Sequence, residues 1–438
     1  MKAVDVKACL VQKIHDLSVD SRLYSKNPER DFTRKRKLPF EQVVTTILGM
    51  GGGSLANELL DRFGCSSDAV TASAFVQQRE KLLPAAMETL FHSFAQTGTT
   101  KLYNGLRLLA VDGSDVQIST NTEDSESLHS NIPGRKAVNI LHLNAMYDLL
   151  QKTYADAIIQ KKRLLNEHEA FVSMIDRSTC KNALVIADRG YESYNSMAHM
   201  QEKGWFYLIR VKDGKIGIAR GLELPNTDEF DVFVDLSLTR SRSNEIKQLL
   251  QDRNHYKYMS QTQPFDYLPE SVRGCKEPIF YRLPFRIVRL KISDNLYETL
   301  VTNLNAERYP AEELKRLYAM RWGIETSFRR LKYTIGLRHF HSKKVEYILQ
   351  EVFARLIMYN FTELVASSAA VQEKGRKYDY RINFSAAAHI CRAFFRGNVT
   401  PPMLEAALAK FLSPVRPGRG YPRRKNMKGF VSFAYRIA

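Results

Sequence analysis

The chain has 438 residues, 44% of them hydrophobic and 26% charged, which is typical of a folded globular protein and excludes collagen-like and disordered classes. Lysine and arginine outnumber aspartate and glutamate by 65 to 47, and the net charge of +18 favours a polyanionic partner such as nucleic acid. Five scattered cysteines indicate neither a disulfide framework nor a zinc cluster. Without an apolar run of about 18 residues or a signal-peptide apolar region, we expect a cytoplasmic protein that does not span a membrane.

Residues 1–100 are predicted to be helical. Apolar residues recur at helical spacing in 38–50, 54–64 and 71–96, and Thr71 or Ser73 is a suitable cap for the last helix. The glycine run 51–53 is not followed by a GK[ST] motif, so we interpret it as a joint between helices rather than a phosphate-binding loop. A basic segment precedes it and is either a solvated arm or a contact to the DNA backbone, which the charge of the whole chain favours: Arg30, Arg34, Lys35, Arg36 and Lys37.

Strand periodicity begins after residue 105. Strands are predicted at 106–118, 139–150, 152–160, 183–191 and 205–212, and helices at 166–178 and 192–204, which together indicate a mixed sheet covered by helices. Three strand-like segments within 215–305 predict a β-rich region. A long helix is predicted at 310–337, from Pro310 to about Gly336, followed by helices in 343–374 and 382–412 and by a basic, turn-rich tail at 416–430.

Two aspartates follow buried strand segments. Asp112 ends the apolar run LRLLAV and Asp188 ends ALVIA, so we expect both at the carboxyl ends of strands, where open α/β sheets bind ligands. Asp115 is a rival for the first position, but it lies three residues beyond Asp112. Asp112 is therefore favoured.

The predicted helix 310–337 carries a polar stripe beside its apolar face: Tyr318, Arg321, Glu325 and Lys332. Taken alone, the stripe could be a solvated face with an Arg321–Glu325 pair worth ~0.2–0.5 kcal/mol. Together with Asp112 and Asp188, however, Glu325 completes a set of hard oxygen ligands that suits Mg²⁺ or Mn²⁺. Two such ions can activate a water or a 3′-hydroxyl and stabilise the leaving oxygen of a phosphodiester.

These residues carry a resemblance to a known family. The spacing of the four stripe residues resembles the YREK signature of the insertion-sequence-four family of DDE transposases. AVDGSD (110–115) and ADRGY (187–191) resemble the family's first and second aspartate segments. With the N-terminal segment that begins FTRKRKLPF, the resemblance covers roughly residues 30–375.

The resemblance implies an α/β fold with a ribonuclease-H-like mixed sheet and flanking helices, interrupted by a β-rich insertion and preceded by an all-helical N-terminal domain. The implied units are a DNA-end-binding domain at 1–100, catalytic-core segments at 101–214 and 306–375, the insertion at 215–305 and a helical, basic C-terminal region at 376–438. Asp112, Asp188 and Glu325 would be the catalytic carboxylates that hold two Mg²⁺ or Mn²⁺ ions. Tyr318, Arg321 and Lys332 would contact phosphates of the transposon end.

The implied function is that of an insertion-sequence transposase that binds terminal inverted repeats and cleaves and transfers strands by a cut-and-paste route. Its partners would be double-stranded DNA, as terminal repeats and target, and a second copy of the chain on that DNA, in the nucleoid of a bacterial cytoplasm. A metal-dependent nuclease without strand transfer and an inactive DNA-binding remnant are the alternatives. Related enzymes stack a flipped base on an aromatic residue, and the sequence assigns this role to neither Trp205 nor Trp322.

Overall fold

The structure is a computed structural model that describes residues 1–34, 37–129, 137–212, 217–270, 279–294, 296–369 and 379–415. Lys35 and Arg36 of the predicted basic segment, and the predicted tail at 416–430, lie outside the described residues. Within the described ranges, no helix is both long enough and apolar enough to cross a membrane.

The N-terminal region is helical, as predicted: α1 (Ala3–Val19), α2 (Phe40–Gly49), α3 (Leu55–Arg62), α4 (Ala72–Arg79) and α5 (Pro84–Ala95). The single helix predicted at 71–96 is wrong, because the chain turns between α4 and α5 and Pro84 begins the second helix. Proline lacks an amide hydrogen and clashes with the preceding turn inside a helix, but it fits the first turn. The Thr71 hydroxyl accepts the Ala74 amide at 3.2 Å and caps α4, whereas Ser73 lies inside the helix.

Ten strands of the described residues form a mixed sheet at the centre of the molecule. Its strands are β1 (Arg107–Ile118), β2 (Leu128–His129), β3 (Val138–Asp148), β4 (Thr153–Lys161), β5 (Ala183–Ala187), β6 (Phe206–Val211), β7 (Phe230–Thr239), β8 (Tyr256–Tyr258), β9 (Tyr281–Ser293) and β10 (Leu296–Thr302). The strand order is β2-β3-β1-β5-β6-β10-β9-β7-β8, and β4 pairs with β3. The β1, β5 and β6 strands are parallel to one another, whereas β10 runs antiparallel to β6, so the strands of the β-rich region continue the central sheet.

Alternating residues of the central strands face two different hydrophobic cores, as the two-residue periodicity of a strand requires. Leu109, Val111 and Val185 face the core that contains α6 (Glu167–Arg177) and α7 (Tyr194–Glu202). Ala110 and Ile186 face the other core, which contains the N-terminal helices and the helices after residue 310. The described part of the β-rich region also contains a short helix, α8 (Asn244–Leu249).

The continuous helix predicted at 310–337 is also wrong. It is divided into α9 (Ala311–Ala319), α10 (Trp322–Arg330) and a π-helical turn at Leu331–Ile335. Between α9 and α10, the amides of Met320 and Arg321 donate to carbonyls only three residues earlier, which tightens the backbone. A side chain at position 323 would meet Leu149 at 2.9 Å, so Gly323 allows α10 to approach the end of β3 closely. Gly336 ends the π-helical turn in the left-handed conformation, with φ of 103°.

The remaining elements are α11 (Val345–Ser368), β11 (Tyr380–Ile382), α12 (Phe384–Arg396), α13 (Pro401–Lys410) and β12 (Leu412–Pro414). The helical content predicted within 382–412 is confirmed as α12 and α13. Helix α11 is buried along most of its length and packs against α1, α2, α5, α12 and β4. Residues of α1 to α5 and of α11 belong to one continuous hydrophobic core, so the N-terminal helices share their apolar interior with the C-terminal half of the chain.

Candidate active site

The two predicted aspartates lie next to each other across the β1–β5 strand pair. Asp112 is inside β1 and not at its end, which corrects the prediction, because β1 continues to Ile118 along β3. Pairing between β1 and β5 nevertheless stops at Val111 and Ala187, so Asp112 and Asp188 each take the next position. Both aspartates therefore lie at the carboxyl end of the parallel pair, where a crevice is expected.

The Tyr318 and Glu325 side chains approach this point from α9 and α10. The Tyr318 hydroxyl donates to Asp188 Oδ1 at 3.3 Å, and Arg321 Nη2 donates to Glu325 Oε1 at 2.7 Å. The i,i+4 ion pair expected of a solvated helix face thus forms, but the Arg321 side chain is only 7% exposed. Its Nε atom is buried and has no hydrogen-bond partner among the described residues. An ordinary surface arginine is exposed and has its donors hydrogen-bonded to water, whereas the Arg321 side chain is buried with one donor unpaired among the described residues.

Lys332 lies in the π-helical turn and contacts the same strand as Asp112. Its Nζ donates to the backbone oxygen of Asp115 at 2.8 Å, and burial lowers the pKa of its ammonium group. The structure thus brings the predicted residues of the polar stripe to the end of the β1–β5 pair.

Asp112 shows that the three predicted carboxylates affect one another electrostatically. Burial raises the pKa of Asp112 to about 6, and the negative charges of Glu325 and Asp188 add to this effect. The Gly113 amide, which donates to Asp112 Oδ1 at 2.8 Å, and the nearby Arg321 oppose it only in part. The raised pKa therefore reflects mainly the burial of Asp112, and the two neighbouring carboxylates make a smaller contribution.

Asp115, the rival of Asp112, has its carboxylate engaged elsewhere. It accepts hydrogen bonds from His142 Nδ1 at 2.6 Å and from Lys162 Nζ at 3.0 Å. Although burial opposes the effect, these bonds lower the pKa of Asp115 to about 2. Glu167 of α6 contacts the other ring nitrogen of His142 at 2.9 Å, so these groups form a separate cluster on the α6 side of the sheet.

Two charged residues near Asp188 were missed by the sequence interpretation. Arg210 of β6 places Nη1 3.8 Å from Asp188 and 3.3 Å from Glu298 of β10. Arg210 could have been noticed in the sequence, because it is a charged residue inside the predicted apolar strand WFYLIRVK. Nothing in the sequence could have paired it with Glu298, because that contact depends on the β6–β10 strand pairing.

The chemistry of the donor set fits a hard divalent cation, because carboxylate oxygens are the ligands that such ions prefer and the charges of Glu325 and Asp188 both act on Asp112. Their oxygens are not yet gathered as ligands, however. Among the described residues, no group of three or more histidine, cysteine, aspartate or glutamate side chains has the arrangement needed to hold a metal ion. Arginines instead lie beside two of the carboxylates, Arg321 at Glu325 and Arg210 at Asp188.

The two tryptophans differ completely in exposure. Trp205 is 1% exposed, and its Nε1 donates to the Cys180 carbonyl at 2.9 Å, so its ring is part of the core. Trp322 is 53% exposed, and the Arg321 guanidinium lies 5.5 Å from the centre of its ring. Only Trp322 of this pair offers a ring face at the candidate site.

Comparison with known proteins places the chain in a family. Residues 103–361, which include all six predicted site residues, match the family model described as the transposase DDE domain. The chain belongs to the DDE transposase family. Membership makes it an enzyme of DNA phosphodiester cleavage and transfer, with DNA as its partner.

This DDE transposase is similar to transposase InsG for insertion sequence element IS4 of Escherichia coli strain K12. The two are 22% identical over 354 residues, which cover 78% of this chain and 73% of InsG. A cryo-EM structure of the piggyBac transposase synaptic complex with hairpin DNA aligns with 97% of this chain and 88% of that chain. That alignment has a TM-score of 0.45 and 11% identity, which is too low to relate the two structures in detail.

Proposed function

We propose that the protein is the transposase of an insertion sequence, which binds terminal inverted repeats and moves the element by a cut-and-paste route. The observation that carries this proposal is the position of Asp112 and Asp188 side by side at the carboxyl end of the parallel β1–β5 pair, where the Tyr318 hydroxyl of the polar stripe contacts Asp188. Family membership and the similarity to InsG support the same function.

Asp112, Asp188 and Glu325 are the residues that would hold two Mg²⁺ or Mn²⁺ ions. Such ions supply an activated water or 3′-hydroxyl and stabilise the leaving oxygen. Asp112 is preferred to Asp115 because the Asp115 carboxylate already accepts two strong hydrogen bonds. In this proposal the β1–β5 strand pair and its neighbours form a ribonuclease-H-like core, and the segment 215–305 is an insertion that widens its sheet.

Tyr318, Arg321 and Lys332 would bind phosphates of the transposon end, in keeping with a YREK signature. The unpartnered Nε of Arg321 supports this role, since a buried donor normally has an acceptor and a phosphate oxygen would supply one. Trp322 is the candidate for stacking against a flipped base, because its ring is exposed beside Arg321.

The N-terminal helices would read the terminal repeat. A cavity of about 400 Å³ there is lined by more cationic than acidic side chains, with Lys26, Arg30, Arg34 and Lys81 against Asp31 and Glu80, and by the amides of Asn27, Gln77 and Gln78. Cationic groups bind the DNA backbone and amides hydrogen-bond base edges, so this surface fits a duplex. Synapsis of two ends would need a homodimer on DNA, and we place the enzyme in the nucleoid of a bacterial cytoplasm.

The carboxylate assignment is tested by replacing Asp112, Asp188 or Glu325 with alanine. Each variant should lose Mg²⁺-dependent strand cleavage, and pre-cleaved ends should no longer join to target DNA, while binding of the ends persists. Cleavage that persists in Asp188→Ala would contradict the assignment. Cleavage without joining in the parent protein would instead identify a nuclease, and absence of both would identify a DNA-binding remnant.

The phosphate assignment is tested on Lys332 with Lys315 as a matched control. Both ammonium groups donate to a backbone carbonyl, Lys332 to Asp115 and Lys315 to Lys291. Lys332→Ala should weaken binding of transposon ends and reduce its salt dependence by about one phosphate contact. Lys315→Ala should leave the salt dependence unchanged. Equal slopes for the two variants would remove Lys332 from the DNA interface.

A further inference from the structure

Arg210 lies between two carboxylates on one face of three neighbouring strands. In the β5–β6 register Ala187 is beside Ile209, so Asp188 comes next to Arg210. In the β6–β10 register Arg210 is opposite Leu300, and Glu298 lies two residues away on the same face. The strand pairing itself therefore holds the order Asp188, Arg210, Glu298 across the sheet.

The two contacts of Arg210 are unequal. Its Nη1 is 3.3 Å from Glu298 Oε1 and 3.8 Å from Asp188 Oδ1. Both distances are longer than a charge-assisted hydrogen bond, so Arg210 acts on both carboxylates through its charge and lies closer to Glu298. The other contact of Asp188, with the Tyr318 hydroxyl, is also long at 3.3 Å. The Asp188 carboxylate, 38% exposed, thus lies beside a positive charge but is not fixed by a short hydrogen bond among the described residues.

We propose that Arg210 is a counter-ion that competes with divalent cations for Asp188. Glu298 is the positioning residue that holds the Arg210 guanidinium away from Asp188. The inference rests on the proposed role of Asp188 as a metal ligand. A guanidinium this close neutralises the same charge that a metal ion would neutralise, and two cations repel each other at such a distance. A cation that enters at Asp188 displaces Arg210 toward Glu298. Without the Glu298 charge, the Arg210 guanidinium would move closer to the Asp188 carboxylate.

The test is Mn²⁺ binding by the full-length protein without DNA, with free Mn²⁺ measured by electron paramagnetic resonance. Arg210→Met removes the competing charge and should tighten binding about five- to tenfold, whereas Glu298→Gln should weaken it to a similar extent. The double variant should behave like Arg210→Met, because Glu298 acts only through Arg210. Arg282→Met, which breaks the Arg282–Asp235 pair elsewhere in the sheet, is the control and should match the parent.

Three results would overturn the inference. The first is Mn²⁺ binding by Arg210→Met that is as weak as in the parent or weaker, in a variant whose thermal unfolding midpoint is unchanged. Arg210→Gln repeats this measurement with a polar side chain. The second is a loss caused by Glu298→Gln that persists in the Arg210→Met background, which would make Glu298 a ligand itself. The third is unchanged Mn²⁺ binding by Asp188→Asn, which would remove the proposed metal site as well. If Asp188→Asn weakens binding and Arg210→Met does not alter it, the counter-ion role alone fails.

Discussion

The ion cluster between α4 and α11 and the carboxylates of the candidate active site are both partly or fully buried, yet they are built in opposite ways. In the first, Arg79 donates to Gln350, to Glu351 at 2.9 Å and to the Tyr347 carbonyl, and its side chain is 2% exposed. His341 also contacts Glu351, at 3.1 Å. Every oxygen of Glu351 therefore has a cationic or polar partner.

The active-site carboxylates are less completely partnered. Among the described residues, the Asp188 side chain has only long contacts. Asp112 has a raised pKa because burial and like charges outweigh the Gly113 amide hydrogen bond and the charge of Arg321. The comparison teaches that burial of a carboxylate can stabilise or destabilise the fold, according to whether its partners are complete. The carboxylate of Glu351 has a partner at each oxygen, whereas the buried Asp112 carboxylate has a raised pKa and destabilises the fold in its charged form.

The largest expected effect comes from breaking the complete cluster. Glu351→Gln leaves Arg79 and Arg355 buried without their counter-charge and should lower the free energy of unfolding in urea by about 3–5 kcal/mol. Glu346→Gln on the same helix is the control. Its pair with Lys26 is half-exposed, so the loss should stay below about 1 kcal/mol. Similar losses in the two variants would show that the buried cluster adds no special stability.

The same cluster should be sensitive to acid. Although burial opposes the effect, Arg79, His341 and Arg355 lower the pKa of Glu351 to about 2, from an ordinary value of 4.5. The contribution of this carboxylate is therefore complete above pH 4.5 and is lost as the pH falls toward 2, because the unfolded chain takes up the proton first. The stability difference between the parent and Glu351→Gln should shrink across this window, as measured by urea unfolding at pH 7, 4 and 3. A constant difference would contradict the linkage.

The smallest expected effect has the opposite sign. Asp112→Asn removes a buried negative charge while its oxygen can still accept the Gly113 amide. Because the pKa of Asp112 is about 6 in the folded protein, its charged form destabilises the fold near neutral pH. In EDTA at pH 7.5, the variant should gain about 1 kcal/mol in the free energy of unfolding, after allowance for partial exposure. The gain should vanish below pH 4, and a loss at pH 7.5 would mean that Asp112 is satisfied like Glu351.

Local patterns in the sequence predicted much of the sheet. Alternating and continuous apolar runs located β1, β3, β4, β5 and β6, and the ends of two of those runs located Asp112 and Asp188. The helical wheel placed Tyr318 and Glu325 on the same side of their segment, and their contacts with Asp188 and Arg321 agree with that placement. Short-range periodicity is enough for these features because it records which face of an element is buried.

Features that depend on contacts between distant segments were not predictable in this way. The helix breaks at Met320 and Arg321, but the apolar residues of α9 and α10 still recur at helical spacing on either side of the break. Hydrophobic periodicity therefore could not reveal the break. The contact between Arg210 and Glu298 requires β10 to lie beside β6, which only the assembled sheet decides. Exposure of Trp322 and burial of Trp205 also follow from packing, since both residues are large and apolar in the sequence.

The core shared by α1 to α5 and α11 has a consequence for synthesis of the protein. Residues 3–95 leave the ribosome long before Val345 begins the helix that covers their apolar faces. Because domains acquire stability only when their core is complete, the N-terminal helices of a nascent chain cannot reach their final packing during most of translation. A prematurely terminated chain that ends before α11 would expose this apolar surface and become a substrate for chaperones and proteases. Truncated products should therefore be cleared before they can bind DNA as competitors of the full-length enzyme.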